Sequence, residues 1–132
     1  MTAVERLLKA IGYPESASEG ATKFTLKVDG GEMRAYESGG RLILERGLPA
    51  SDDRLADLAG FAAGRMLRED AVLAWSPERD EPILWQAIPA TAGESQLKLF
   101  FEVFAASCDW WLARCEPDAN PSGVYPDMVF RP

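Results

Sequence analysis

Two glycine-paired turns, Asp29-Gly30-Gly31 and Ser38-Gly39-Gly40, separate segments whose apolar residues alternate, and this pattern limits the fold more than any other feature of the chain. In KFTLKV, residues 23–28, Phe24, Leu26 and Val28 alternate with Thr25 and Lys27, the period-two signature of a strand. Residues 32–37 (EMRAYE) set Met33 and Ala35 on one face and Tyr36 on the other, and residues 41–46 (RLILER) form a third strand. Connections this short cannot carry a parallel crossover, so the three strands form an antiparallel meander.

The meander is flanked by helices. Residues 2–11 read as a short helix in which Thr2 and Glu5 pair as a capping box and Val4, Leu7, Leu8 and Ile11 share a face. Gly12 and Pro14 stop it, and residues 13–22 read as loop. After the meander, Ser51 reads as an N-cap with Asp52 and Asp53 in the first turn, and Leu55, Leu58, Ala59, Ala62 and Met66 give an apolar face through about residue 68. Gly60 and Gly64 lie one turn apart on this helix, each costing up to about 1 kcal/mol against Ala, which signals a close backbone approach to the sheet or to another helix. Residues 71–75 (AVLAW) and 82–88 (PILWQAI) are two further strands around the charged turn SPERDE. Val72 and Ala74 oppose Leu73 and Trp75, and Ile83 and Trp85 oppose Leu84 and Ile88, so both strands are apolar on each face. Such strands lie centrally in a covered sheet or at an interface.

The last helix has the clearest period. Thr91 and Glu94 read as a second capping box, and Leu97, Phe101, Phe104, Cys108, Trp111 and Cys115 form a seam for the core. Phe100, Val103 and Trp110 make a second stripe beside it, either a wider core contact or a partner surface. The element order α-β-β-β-α-β-β-α gives an α+β fold, with three helices against one side of an antiparallel sheet of about five strands. Residues 1–115 form a single domain, and the proline-rich residues 116–132 read as a tail without regular structure.

Composition removes several function classes. With 132 residues the chain suffices for one domain and needs no disulfide or metal to hold a core. Acidic residues outnumber basic ones by 21 to 14, the formal net charge is -7, and no Lys/Arg cluster appears. That opposes nucleic-acid binding and anionic membrane surfaces. No apolar run approaches the roughly 20 residues of a membrane span, and the opening MTAVERLLKAIGYPES does not read as a secretory signal, so a cytoplasmic, non-membrane protein is expected. The chain has no histidine, which removes Ser-His and Cys-His dyads and His-ligated metals. Cys108 and Cys115 lie two helical turns apart, about 10 Å, too far to bridge, and read as buried reduced thiols. No phosphate-loop, dinucleotide-binding, zinc-protease, serine-hydrolase or CxxC motif occurs, so no catalytic residue, cofactor or metal is assigned. Trp75, Trp85, Trp110 and Trp111 are many for this length and suit either a core or a binding hot spot.

Three stretches carry a resemblance: VERLLKAIG in the first helix, RLILERGLP before the second, and LKLFFEVFAASCDWWLARC in the last. With the element order, they resemble the class I type III secretion chaperones, over residues 2–115. The resemblance implies a small acidic cytoplasmic homodimer that binds the N-terminal region of a secreted effector and keeps it extended and non-globular for export. It implies a dimer contact through residues 52–68 and 71–75, with Gly60, Gly64, Val72 and Ala74, and an effector surface on the first helix and the sheet, with Val4, Leu8, Phe24 and Leu26. The loop YPESASEGAT, the stretch RMLREDAV and the proline-rich tail depart from the family pattern. Two other readings compete: a regulatory interaction domain of the same fold that binds a folded protein, and a small carboxylate-dependent enzyme or ligand-binding domain with two convergent acids in a deep polar pocket.

Overall fold

A computed structural model of the chain describes residues 1–28, 30–49, 54–65 and 70–115. The elements run α1 (Ala3–Ile11), β1 (Lys23–Val28), β2 (Gly31–Ser38), β3 (Arg41–Gly47), α2 (Leu55–Arg65), β4 (Val72–Ser76), β5 (Glu81–Pro89) and α3 (Glu94–Cys115). The five strands form one antiparallel sheet in the order β1-β2-β3-β5-β4, which leaves β1 and β4 at its edges.

The turns explain the meander. Gly39 and Gly40 both have positive φ, 57° and 76°, the two left-handed positions of a type I′ turn whose twist matches the strands it joins. At the first turn only Gly30 needs such a conformation, with φ 79°. Gly31 instead opens β2, where a Cβ would stand 2.8 Å from Nη1 of Arg46. The glycine there makes room for a guanidinium, which donates to the Glu32 carbonyl at 3.1 Å.

The register divides the sheet into two faces. Leu26, Met33, Ala35, Leu42, Leu44, Leu84 and Ile88 face the helices and share a core with Val4 and Leu7 of α1, Leu58 and Ala62 of α2, and Leu97, Phe104, Cys108, Trp111 and Cys115 of α3. The other face carries Tyr36, Ile43, Glu45, Ile83, Trp85, Val72 and Ala74. The five-stranded α+β layering expected from the sequence is therefore present. Phe101 lies half-buried against the core, and Ser107 takes a buried place in the seam.

The start of α3 differs from the sequence reading in two respects. The first α3 bond runs from the Leu97 N–H to the Gly93 carbonyl, 2.9 Å, so Gly93 and not Thr91 caps the helix. Gln96, not Glu94, reaches back to the cap, accepting from the Gly93 N–H at 3.1 Å. Glu94 faces Lys9 of α1 at 3.6 Å. The proposed cap at Ser51, the acids Asp52 and Asp53, the end of the second helix beyond Arg65 and the 116–132 tail lie outside the described residues.

Candidate functional site

The face where α1 meets β1 is assembled by helix-end chemistry. Thr2 accepts from the Glu5 N–H at 3.2 Å while Glu5 Oε1 accepts from the Thr2 N–H at 2.7 Å, the capping box expected from the sequence. The Thr2 hydroxyl also donates to the Ala21 carbonyl at 2.6 Å, and the Glu37 carboxylate of β2 accepts from the Ala3 N–H at 2.8 Å. The start of α1 is thus tied to the approach to β1 and to β2. The hydrogen bond from the Thr2 backbone holds the Glu5 carboxyl below the usual carboxylate range. A general acid working near neutral pH requires the opposite shift.

At its other end α1 closes with Gly12 at φ 69°, the Gly12 N–H donating to the Lys9 carbonyl and the Tyr13 N–H to the Leu8 carbonyl, 3.2 and 3.0 Å. This paired ending fixes the direction of the residue that follows it. It carries Tyr13 over β1, where the ring meets Phe24 edge-on with centroids 5.7 Å apart. The Tyr13 hydroxyl accepts from the backbone N–H of Lys27 at 2.8 Å. Between α1 and residues 13–17 lies a groove of about 300 Å³, lined by Met1, Glu5, Leu8, Lys9, Tyr13 and Ala17 among others. Of the four residues expected at an effector surface, Val4 and Leu26 are fully buried beneath this face. Leu8 is buried but lines the groove, and Phe24 is half-buried against Tyr13. Tyr13 escaped the sequence reading although its signal was present, because the residue after a helix-ending glycine regularly packs back on the body.

The opposite end of the molecule gathers α2, β4 and the last turns of α3. Gly60 and Gly64 face outward, and a Cβ on either would meet nothing within 4 Å. Neither glycine is therefore explained by packing among the described residues. Phe61 between them is 38% exposed and meets Trp110 edge-on at 5.9 Å. Trp110 is stacked between the guanidinium groups of Arg65 and Arg114, 3.7 and 3.8 Å from its ring centre, a cation–π arrangement across two elements. Arg54 binds Asp57 at 2.9 Å and the Arg114 carbonyl, tying the start of α2 to the end of α3. Val72 and Ala74 lie half-buried on the open sheet face, opposite Trp85 and Ile83 in the register, so the four expected dimer residues divide between α2 and that sheet face. Trp75 turns to the helix side of the edge strand and is 46% exposed, while Trp111 is enclosed. On the outer faces of the helices Leu99 and Val103 add an exposed apolar pair one turn apart.

Farther along the open sheet face, Arg34 donates from Nε and Nη2 to one oxygen of Glu45, 3.0 and 2.8 Å, and Tyr36 donates to the other at 2.7 Å. Burial, then the hydrogen bond and charge of Glu45, push the Tyr36 phenol up to about 12. Among the described residues no helix is long and apolar enough to cross a membrane, and no group of three or more His, Cys, Asp or Glu residues could hold a metal ion.

No family model and no curated protein matches the chain. Solved structures do. A chain of the HopA1–SchA chaperone–effector complex superposes with a TM-score of 0.66 at 14% identity, over 83% of this chain and 90% of that one. A chain of the ExsC–ExsE complex gives 0.66 at 15% identity, covering 89% and 93%. A chain of the heterodimeric ExoU–SpcU complex from the type III secretion system of Pseudomonas aeruginosa gives 0.64 at 13% identity, covering 86% and 98%. The fold is shared with chains of these complexes. At these identities the likeness resides in the backbone, so the fold is shared while the surface residues are this chain's own.

Proposed function

We propose that this protein is a type III secretion chaperone-like protein that binds the N-terminal segment of a secreted effector and keeps it non-globular for export. The observation that carries the reading is its fold, shared over 83% of this chain with a chain of a chaperone–effector complex. The physical features agree. An effector segment without a core of its own has apolar side chains to bury and main-chain groups to pair. The groove beside α1 offers the first, and the edge strand β1, joined to the groove through Tyr13, offers the second. In this reading Leu8 and Phe24 contact the effector and Val4 and Leu26 support them from beneath. The role is binding rather than catalysis, in the cytoplasm.

The chaperone acts as a homodimer through Gly60, Gly64, Val72 and Ala74. What supports this is the open space over both glycines and the apolar half of the open sheet face. Co-expression with the product of a neighbouring gene tests the function. The expected result is a stable complex in which the partner's N-terminal segment resists protease only where it touches the chaperone, with two copies of this chain by light scattering. A partner that stays folded in the complex identifies a regulatory interaction domain instead. A strict monomer at micromolar concentration overturns the dimer.

A further inference from the structure

We infer that Tyr13 sets how far a partner strand can pair along β1, by occupying one rung of the sheet edge with its own hydroxyl. The inference rests on the proposed binding of an extended polypeptide and names the residue that fixes its register.

The argument starts from which edge groups are free. The Glu37 N–H donates to the Thr22 carbonyl at 2.8 Å, which makes residues 22 and 37 a hydrogen-bonded pair. By alternation Phe24, Leu26 and Val28 turn their N–H and C=O groups toward β2, opposite Ala35, Met33 and Gly31. Lys23, Thr25 and Lys27 therefore turn theirs outward, away from the sheet. The Lys27 N–H confirms this parity from the other side, because it reaches the Tyr13 hydroxyl at 2.8 Å. Of three outward N–H groups, the last is already filled.

A phenol oxygen that accepts from Lys27 keeps its own proton to donate. Facing outward, it can receive one main-chain carbonyl, while its ring bars a strand from passing on to Lys27. An incoming segment thus pairs at Lys23 and Thr25, meets Tyr13, and leaves the edge for the groove that Tyr13 also lines. There Leu8 and Ala17 accept an apolar side chain. The occupant is an extended segment of a partner polypeptide with an apolar anchor beyond its paired stretch. Acidic residues are favoured beside that stretch, since Lys23 and Lys27 are exposed on β1. The position of Tyr13 is firm because a helix ending, an aromatic contact and a backbone hydrogen bond hold it together.

Random peptides displayed on phage and selected on the intact protein supply the probe, and amide hydrogen exchange read by NMR supplies the footprint. Bound to the wild type, a selected peptide is expected to slow exchange at Lys23 and Thr25 by about tenfold or more and to leave Lys27 unchanged. In free Tyr13→Phe the Lys27 amide exchanges about fivefold faster, the worth of one neutral hydrogen bond, while the ring still stops the footprint at Thr25. In Tyr13→Ala the footprint extends to Lys27. Should that variant fail to fold, the wild-type and Tyr13→Phe footprints still decide. Thr25→Pro removes one outward donor without touching the inward ladder and is expected to abolish protection at Lys23. Added protection at Lys27 in the wild type, or unchanged Lys27 exchange in free Tyr13→Phe, overturns the role of Tyr13 and leaves peptide binding standing. Selected peptides that bind but protect none of β1 overturn strand pairing itself, and the register role with it.

Discussion

Phe104 is fully enclosed between α3 and the sheet, and its size makes it a sensitive probe of the core. Replacing it by Ala should cost about 3–5 kcal/mol, the transfer and cavity terms together, measured as a lower urea midpoint with an unchanged slope. Two other side chains tie stability to alkaline pH. Burial pushes the Cys108 thiol from 9.0 up to about 12, and the Tyr36 phenol rises from 10.0 to about 12. Unfolding returns both groups to their ordinary values, so above pH 9 the unfolded chain releases protons that the folded chain still holds. Their contribution is present in full below that point and declines as pH rises through about 12. Denaturation midpoints compared at pH 8 and pH 10.5 should therefore fall at the higher value. A thiol reagent at pH 8 should label Cys108 slowly until denaturant is added, because the thiolate is the reactive form.

Among the elements, α2 departs most from a self-sufficient helix. Its two glycines weaken it by about 1 kcal/mol each against Ala, with no packing return among the described residues. Gly60→Leu should leave the circular dichroism spectrum intact and raise monomer stability slightly, while light scattering shows loss of the proposed dimer. A dimer that survives the added side chain removes Gly60 from the interface. The elements also show where local signals suffice. The strands and α1 could be read from sequence because alternation, capping boxes and paired glycines act over a few residues. The start of α3 was misread because Glu94 and Gln96 both stand where a capping acid or amide is expected, and only the backbone shows which one reaches back. Arg46 alternates with Leu42 and Leu44 and so points among the helices, a place that its charge disguises and that Gly31 leaves open for it.

Across the whole molecule, the layering followed from element order, while the candidate site did not. Val4, Leu8, Phe24 and Leu26 share one apolar character in the sequence, and depth separates them only once α1 is laid on the sheet. The stack of Arg65, Trp110 and Arg114 joins residues 45 apart in sequence at its widest pairing, Arg65 to Trp110, so no local pattern announces it. Long-range ties of this kind also govern assembly. Arg6 of α1 donates from Nη1 to the Ala92 carbonyl at 2.5 Å and from Nη2 to the Ala90 carbonyl, across separations of 86 and 84 residues. Closing such a loop is slow relative to forming a hairpin. Ribosome-stalled chains that end before Leu97 should leave the Arg6 turn open to protease, and chains that expose all of α3 should protect it. α1 is thus clasped only after the segment that carries Ala90 and Ala92 has followed it out, and a nascent chain holds that helix loosely in the meantime.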